Sequence, residues 1–374
     1  MVYVLIIGLP VLFSYLSDKT AKWASYLLTF LAIATPIFFA AVRDTTIGTD
    51  VKVYAVSIYD FATTHNLLDF LNTFMGVNPI GFNLLSWVVC QTKVFAIYMG
   101  LIQALTIIPI YSFIYKKYRD KLWIAMIMYM LIIFPVSLNA MKQMIAVAWC
   151  LPSFYFIENK KPVYFFITIV FISLMFHMTA VFFLLLYPIV WLFKNTNTDK
   201  LKFLGKFQKY APFLYFILIL LILFIGAKSF VYIFSVLKKS YSIQLNSVGR
   251  HINIPGICMI MFLSVSYITY KLFNNDKKAY GLYTEQQVLL TICIFGFALI
   301  QLNTITDSLM RFSYYFFPFM LLYSRSLLEI KNKNLKIFLS APTVLVSCVY
   351  FFGVCILHHG HEIYPYTSSI LGLQ

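Results

Sequence analysis

A guanidinium, two carboxylates and a phenol emerge together in Arg43-Asp44-Thr45-Thr46-Ile47-Gly48-Thr49-Asp50 and Tyr54, directly after the apolar run Trp23–Val42. Other cations, Lys142, Arg250 and Arg311 among them, stand at or inside the ends of further apolar stretches. An ionised group at membrane depth costs about 2.5–3.5 kcal/mol on insertion scales, so it lines a wet cavity or meets a counter-charge. These four cations, recessed on one face, have too few anionic protein partners there to neutralise them. An anionic ligand would supply the difference. The planar fork of arginine suits phosphate, and several such groups suit a pyrophosphate. Beside a membrane, the expected anion is a lipid-linked phosphate or diphosphate.

Each of these residues also has a plainer reading. Arg43 can snorkel and pair with Asp44 or Asp50, and Gly48-Thr49-Asp50 can be a turn. Asp307 and Arg311, spaced i,i+4, suit a helical ion pair as well as a site. Tyr314 and Tyr315 share the Arg311 face as sugar-stacking rings or as interface aromatics. Asn139 is placed to cap a helix whose first turn carries Lys142, where amides and ammonium together would hold an anion. His177, alone in a hairpin turn, reads as structural or as catalytic. The cluster His358-His359-Gly360-His361 has no neighbouring cysteine or second cluster and reads as an exposed tail, not a zinc site.

The elements that must position these groups follow from composition. The chain is 61% hydrophobic and 11% charged, where a soluble domain would be about a quarter charged. An all-α polytopic integral membrane protein is expected, as a single transmembrane domain over 1–374. No basic n-region or cleavage site marks a signal peptide, so 2–17 is expected as a retained span. The net charge of +16 is assigned to cytoplasmic loops and not to nucleic-acid binding. All six cysteines lie in apolar stretches without a C-x-x-C and read as small buried hydrophobes.

About twelve spans are expected, near 2–17, 23–42, 94–115, 122–136, 139–157, 162–176, 178–193, 211–232, 254–272, 287–303, 310–326 and 337–356. Segment 80–90 is too short to span and reads as a re-entrant or interfacial helix closing an outer-face loop, 43–93. The uncharged run 162–193 decides the orientation, because it is too long for one span. Turning it back at His177 places 20 of the 29 Lys and Arg on one side, which the positive-inside rule makes cytoplasmic. Arg43, Asp44, Asp50, Lys142, His177, Arg250, Asp307 and Arg311 then face outward, as do both termini.

Taken in order, these segments resemble a known pattern. RDTTIGTDVKVY is similar to the arginine-to-tyrosine signature of the EpsG-like family, which belongs with the Wzy-type polymerases of bacterial O-antigen, capsule and exopolysaccharide. NPIGFNLLSWV resembles its glycine-phenylalanine helix, and NAMKQMIAVAW its Arg/Lys-Gln helix start, with Lys142 where arginine is expected. FHMTAVFFL resembles its histidine hairpin, DSLMRFSYYF its late arginine-tyrosine helix, and IYPY its C-terminal end. The resemblance runs over nearly the full length.

It implies a GT-C-like membrane glycosyltransferase that moves a growing glycan from undecaprenyl pyrophosphate to the next lipid-linked repeat unit, on the outer face of the bacterial inner membrane. Donor and acceptor are both undecaprenyl-pyrophosphate-linked glycans, and the implied pathway partners are a chain-length regulator and a flippase. Arg43, Arg250 and Arg311, with Lys142, would stabilise the pyrophosphate leaving group, and Gln143 belongs to the same substrate site. Asp50, or second His177, would be the general base. Asp44 would orient an arginine, and Tyr54 and Tyr314 would hydrogen-bond to sugar or stack on it. Without a D-x-D motif or His/Asp cluster, neither a metal nor another cofactor is expected.

Two other classes fit a polytopic chain of this charge. One is a flippase or exporter of lipid-linked oligosaccharide; the other is an O-antigen ligase or acyltransferase acting on the same glycan. A carrier of about twelve spans usually keeps both termini in the cytoplasm. A C-terminal reporter that works only outside the cytoplasm is therefore expected to be active on this chain, and a silent one overturns the outward orientation.

Overall fold

The computed structural model describes residues 2–194, 261–265, 280–300 and 310–373. Among them the protein is all-helical, with two isolated β-bridges. The chain forms two compact units, Met1–Leu184 with Ser347–Gln374, and Leu185–Val346.

In the first unit, α1 (Val2–Ser17) packs on α2 (Lys22–Val42), and α2 packs on α6 (Phe95–Tyr118). Three helical runs, Lys22–Val42, Phe95–Tyr118 and Lys333–Leu357, are long and apolar enough to cross a membrane. At 1.5 Å per residue each exceeds a hydrocarbon core of roughly 30 Å. The outward side of α2 carries Trp23, Tyr26, Leu27 and Phe30, all exposed, as expected of a helix solvated by lipid. Shorter apolar helices cover Val2–Ser17, Trp123–Asn139 and Pro162–Met175. The expected span 211–232 lies outside the described residues, and 254–272 is described only over 261–265, which are helical.

Two corners organise this unit. The first lies between α8 (Phe134–Asn139), which continues α7 (Trp123–Met128) through a π-turn at Tyr129–Ile133, and α9 (Met141–Cys150). Only Ala140, at φ −90° and ψ 59°, separates them. Beyond α9 a 3-10 turn leads into α10 (Phe154–Glu158). Met141 shares a core with Met99 near the start of α6, while Glu158 pairs with Lys117 near its end, at 2.7 Å. The α9–α10 segment thus runs with α6, α7–α8 runs against both, and Ala140 is the corner. The second corner is at His177, between α11 (Pro162–Met175) and the 3-10 segment Met178–Leu185. The Phe165 and Phe183 rings are 6.0 Å apart; on one continuous helix they would be about 27 Å apart. The chain therefore reverses at His177, as the charge pattern requires.

The segment 43–93 differs from the loop expected there. It forms a π-turn, Val51–Ala55, then α3 (Val56–Thr64), α4 (Leu67–Phe74) and α5 (Ile80–Cys90). Val51, Ala55, Ile58 and Ala62 are all buried and repeat at helical spacing. They join Phe70, Phe82, Tyr98 and Met141 in one core. The polar residues between them mask that stripe in a hydropathy count. The short helix expected at 80–90 is present as α5.

In the second unit, α12 (Leu186–Lys194) packs on α13 (Tyr280–Ile300), which also packs on the 3-10 turn Arg311–Phe316 and on α14 (Pro318–Leu327). The Phe295 and Phe316 rings meet at 4.9 Å. The closing helix α15 (Lys333–Tyr350) continues through a π-turn, Phe351–Leu357, into the C-terminal segment of the first unit.

Two glycines admit this packing. Gly48 has φ +86°, and a Cβ there would lie 2.2 Å from the Leu138 carbonyl oxygen. A Cβ on Gly81 would lie 2.6 Å from the Met175 carbonyl oxygen, next to the His177 corner. Gly48→Ala is expected to cost at least about 1–2 kcal/mol from the left-handed backbone alone, and Gly81→Ala to lower stability through the clash. Gly8→Ala, with open space around it, is expected to be neutral or slightly stabilising. Thermal unfolding in detergent and monodisperse yield distinguish the three.

Candidate functional site

A chain that reverses at one residue leaves the carbonyls of α8 and the amides of α9 without helical partners. Among apolar helices such groups must be satisfied by protein. The segment after α2 does this. Arg43 Nη2 donates to the Leu138 carbonyl at 3.0 Å and lies 3.6 Å from Met141 Sδ. The Thr49 amide donates to Asn139 Oδ1 at 2.9 Å. The Met141 amide donates to Asp50 Oδ2 at 3.1 Å, and the same oxygen accepts the Tyr54 hydroxyl at 2.5 Å. Asn139 therefore does not cap α9, contrary to the sequence expectation. Ala140 holds the cap position, and the carboxylate comes from Asp50, distant in sequence.

The next two residues of α9 recruit two more segments. Lys142 Nζ sits 3.9 Å from the centroid of the Tyr54 ring and donates to Asn78 Oδ1 at 2.7 Å. A cation over an aromatic face is worth about 0.5–2 kcal/mol, more when desolvated. Gln143 Nε2 donates to Thr179 Oγ1 at 3.4 Å, and that hydroxyl lies 2.7 Å from His177 Nδ1. One end of the first unit thus gathers Arg43, Asp50, Tyr54, Lys142, Gln143 and His177.

Arg43 is the electrostatic anomaly. It is buried, and its Nε has no hydrogen-bond partner. No carboxylate of the described residues lies within ion-pair distance of it. Asp44 turns away, accepting from the Ser369 amide at 2.8 Å and from the Ser369 hydroxyl. Asp50 turns to Met141 and Tyr54. The pairing of Arg43 with Asp44 or Asp50, the plainer reading of the sequence, is not formed. Burial pulls the guanidinium down to about 10, partly offset by Tyr366, Tyr54, Asp50 and Tyr3, so it stays charged at neutral pH. Burial and the Asp50 carboxylate push the Tyr54 phenol well above its ordinary value, which keeps it a neutral donor.

The C-terminal segment straps this end. The Gly48 amide donates to the Glu362 carbonyl at 2.9 Å, the Asp44 amide to the Thr367 carbonyl at 3.1 Å, and Lys52 pairs with Glu362 at 2.8 Å. The Tyr366 hydroxyl donates to the Phe39 carbonyl at 2.7 Å, and Tyr3 donates to the Ile363 carbonyl. The exposed tail expected around His358–His361 is corrected accordingly: His358 and His359 are exposed, but His361, Ile363, Tyr366 and Ser368 are buried. Burial of Ile363 and the contacts of the Tyr366 ring with Tyr3 and Phe39 hold the segment down.

The remaining expected residues belong to the second unit or fall outside the described residues. Arg311 opens a 3-10 turn in the second unit, with Tyr314 one such turn further on. Tyr314 and Tyr315 are buried. Arg250 and Asp307 lie outside the described residues. Asn78, Thr179, Glu362 and Ser369 take part without having been singled out from sequence. Asn78 and Thr179 stand inside the motifs NPIGF and FHMTAV, whereas Glu362 and Ser369 carry no local signal. Among the described residues no group of three His, Cys, Asp or Glu is arranged to hold a metal ion.

The EpsG family model matches residues 26–368, nearly the whole chain. The chain belongs to the EpsG family. EpsG is a Wzy-like, polymerase-type family, which makes this a polysaccharide polymerase-like membrane protein. The span shared with EpsG takes in the whole Ala140 corner, the His177 corner and Tyr366. No curated protein and no solved structure gives a significant match.

The bonds from Ser369 hold the Asp44 carboxyl below its ordinary value. A depressed carboxylate contributes stability that is present above its unfolded pKa of about 3.9 and is lost as pH falls through the folded value. The strap is therefore expected to loosen below about pH 4, seen as faster proteolysis or hydrogen exchange of residues 358–373. Asp44→Asn should flatten that acid dependence.

Proposed function

We propose that this EpsG protein polymerises undecaprenyl-pyrophosphate-linked oligosaccharide repeats into a surface polysaccharide, as a GT-C-like, metal-independent glycosyltransferase of the bacterial inner membrane. The observation that carries this reading is the buried, charged Arg43 guanidinium, which has no carboxylate partner among the described residues. It lies against Met141, the residue that precedes Lys142 in the first turn of α9. Cations beside helix N-terminal amides make an anion site, and a diphosphate attached to a membrane lipid fits one set at the end of apolar helices.

In the reaction, a hydroxyl at the non-reducing end of the acceptor repeat attacks the anomeric carbon of the donor. The new glycosidic C–O bond forms, the bond to undecaprenyl pyrophosphate breaks, and the hydroxyl proton passes to a carboxylate or imidazole. Arg43 and Lys142 stabilise the charge that gathers on the diphosphate. Arg250 and Arg311 keep the same role on the strength of the sequence pattern. Asp50, fixed by Tyr54 and the Met141 amide, is the first choice to take the proton, and His177 the second. Tyr54 and Tyr314 are the sugar contacts. The positive-inside argument sets the Arg43 end toward the periplasm or exterior, where a flippase would deliver the repeat and a chain-length regulator would act on the product.

Purified protein supplied with a synthetic undecaprenyl-pyrophosphate-linked repeat is expected to produce a ladder of longer chains, without added metal and in the presence of EDTA. Arg43→Lys and Arg311→Ala should each lose about 10²–10³-fold in rate. Arg43→Ala should also lose about 1–3 kcal/mol of stability by orphaning the Leu138 carbonyl. Translocation without lengthening, transfer of preformed chains, acyl transfer, or full activity in folded Arg43→Lys and Arg311→Ala proteins overturns the assignment.

A further inference from the structure

His177 stands at the corner between α11 and the following 3-10 segment, and its ring nitrogen Nδ1 meets Thr179 twice. The Thr179 hydroxyl lies 2.7 Å from Nδ1, and the Thr179 backbone N–H donates to the same nitrogen at 3.4 Å. A backbone amide can only donate, so Nδ1 must present its lone pair. The hydroxyl is compatible with the same direction: while accepting from the Gln143 side-chain amide at 3.4 Å, Thr179 Oγ1 still has its own proton to give to Nδ1. The corner is held by further bonds: the Ala180 amide donates to the His177 carbonyl at 2.9 Å, and the Ser173 hydroxyl donates to the Met178 carbonyl at 2.9 Å. In a neutral imidazole whose Nδ1 accepts, the proton resides on Nε2.

We propose that Thr179 is a positioning residue that holds His177 as a neutral Nε2–H donor, and that His177 donates to an oxygen of the lipid-linked glycan diphosphate while Asp50 takes the acceptor proton. The part concerning substrate rests on the polymerase reading above; the tautomer does not. A base at His177 would need its lone pair on Nε2, and Nδ1–H would then confront the Thr179 amide, donor against donor. In the step itself, the acceptor hydroxyl proton moves to the Asp50 carboxylate as the C–O bond to the diphosphate breaks. The imidazole keeps its proton throughout.

The test uses the full chain in two measurements. In the polymerisation assay, His177→Gln presents an amide N–H near the Nε2 position but cannot accept a proton at neutral pH. It is expected to stay within about tenfold of wild type, while His177→Ala falls further and Asp50→Asn loses the roughly 10²–10⁴-fold due to a general base. Equal losses in folded His177→Gln and His177→Ala, or an active Asp50→Asn, overturn the assignment of roles. Independently of activity, nitrogen-15 NMR of histidine-labelled wild type should show the His177 proton on Nε2, the signal being identified by its absence from His177→Gln. Thr179→Val should mix the two tautomers and Thr179→Ser should preserve the wild-type one; a proton on Nδ1 in wild type overturns the proposal. Wild type that carries the Nε2 proton yet lengthens no glycan refutes the polymerase reading and leaves the tautomer standing.

Discussion

The break at Ala140 is the constraint from which the site follows. One residue separates two helices that run in opposite directions, and the exposed carbonyls and amides at such a corner cannot be left to hydrocarbon. Leu138 and Met141 are satisfied by Arg43 and Asp50, and Asn139 satisfies the Thr49 amide in return. The groups that solve a backbone problem are those with the chemistry for a diphosphate and a sugar hydroxyl. Fold and site are therefore one arrangement, and perturbing either reaches the other.

Arg43 shows how closely the two are tied. Its Nη2 is engaged by a carbonyl, which fixes the orientation of the guanidinium without neutralising it. A carboxylate in that place would have cancelled the charge on which the proposed diphosphate contact rests. Asp44 is kept out of the way by Ser369, and Asp50 by Tyr54 and the Met141 amide. The strap from Glu362 to Ser369 thus takes part in the electrostatics while remaining distant in sequence. Lys142, held over Tyr54 and on Asn78, offers a compact charge where an arginine would offer a fork.

Charge is sorted along the first unit. Arg43, Lys142 and His177 share one end with the Ala140 corner, while Lys117 with Glu158, and Lys116 over the Tyr155 ring, mark the other. That separation is what a positive-inside count presumes. The reversal at His177, which the count required, is formed by the Phe165–Phe183 contact.

By itself the sequence determined the class of protein, the position of most helices, both corners and the membership of EpsG, because hydrophobic length and short ordered motifs are local properties. It also marked Arg43, Asp50, Tyr54, Lys142, Gln143 and His177, since charged and polar residues inside apolar chain are costly wherever they fold. The tertiary structure decided who meets whom. It turned the supposed loop 43–93 into packed helices, because Val51, Ala55, Ile58 and Ala62 find a common core only against α6 and α9. It moved the cap of α9 from neighbouring Asn139 to remote Asp50, left Arg43 without a carboxylate among the described residues, and drew Ser369 and Glu362 onto the site. Hydrogen bonds between residues dozens to hundreds of positions apart leave no trace in spacing. Only the folded chain brings their donors and acceptors within reach.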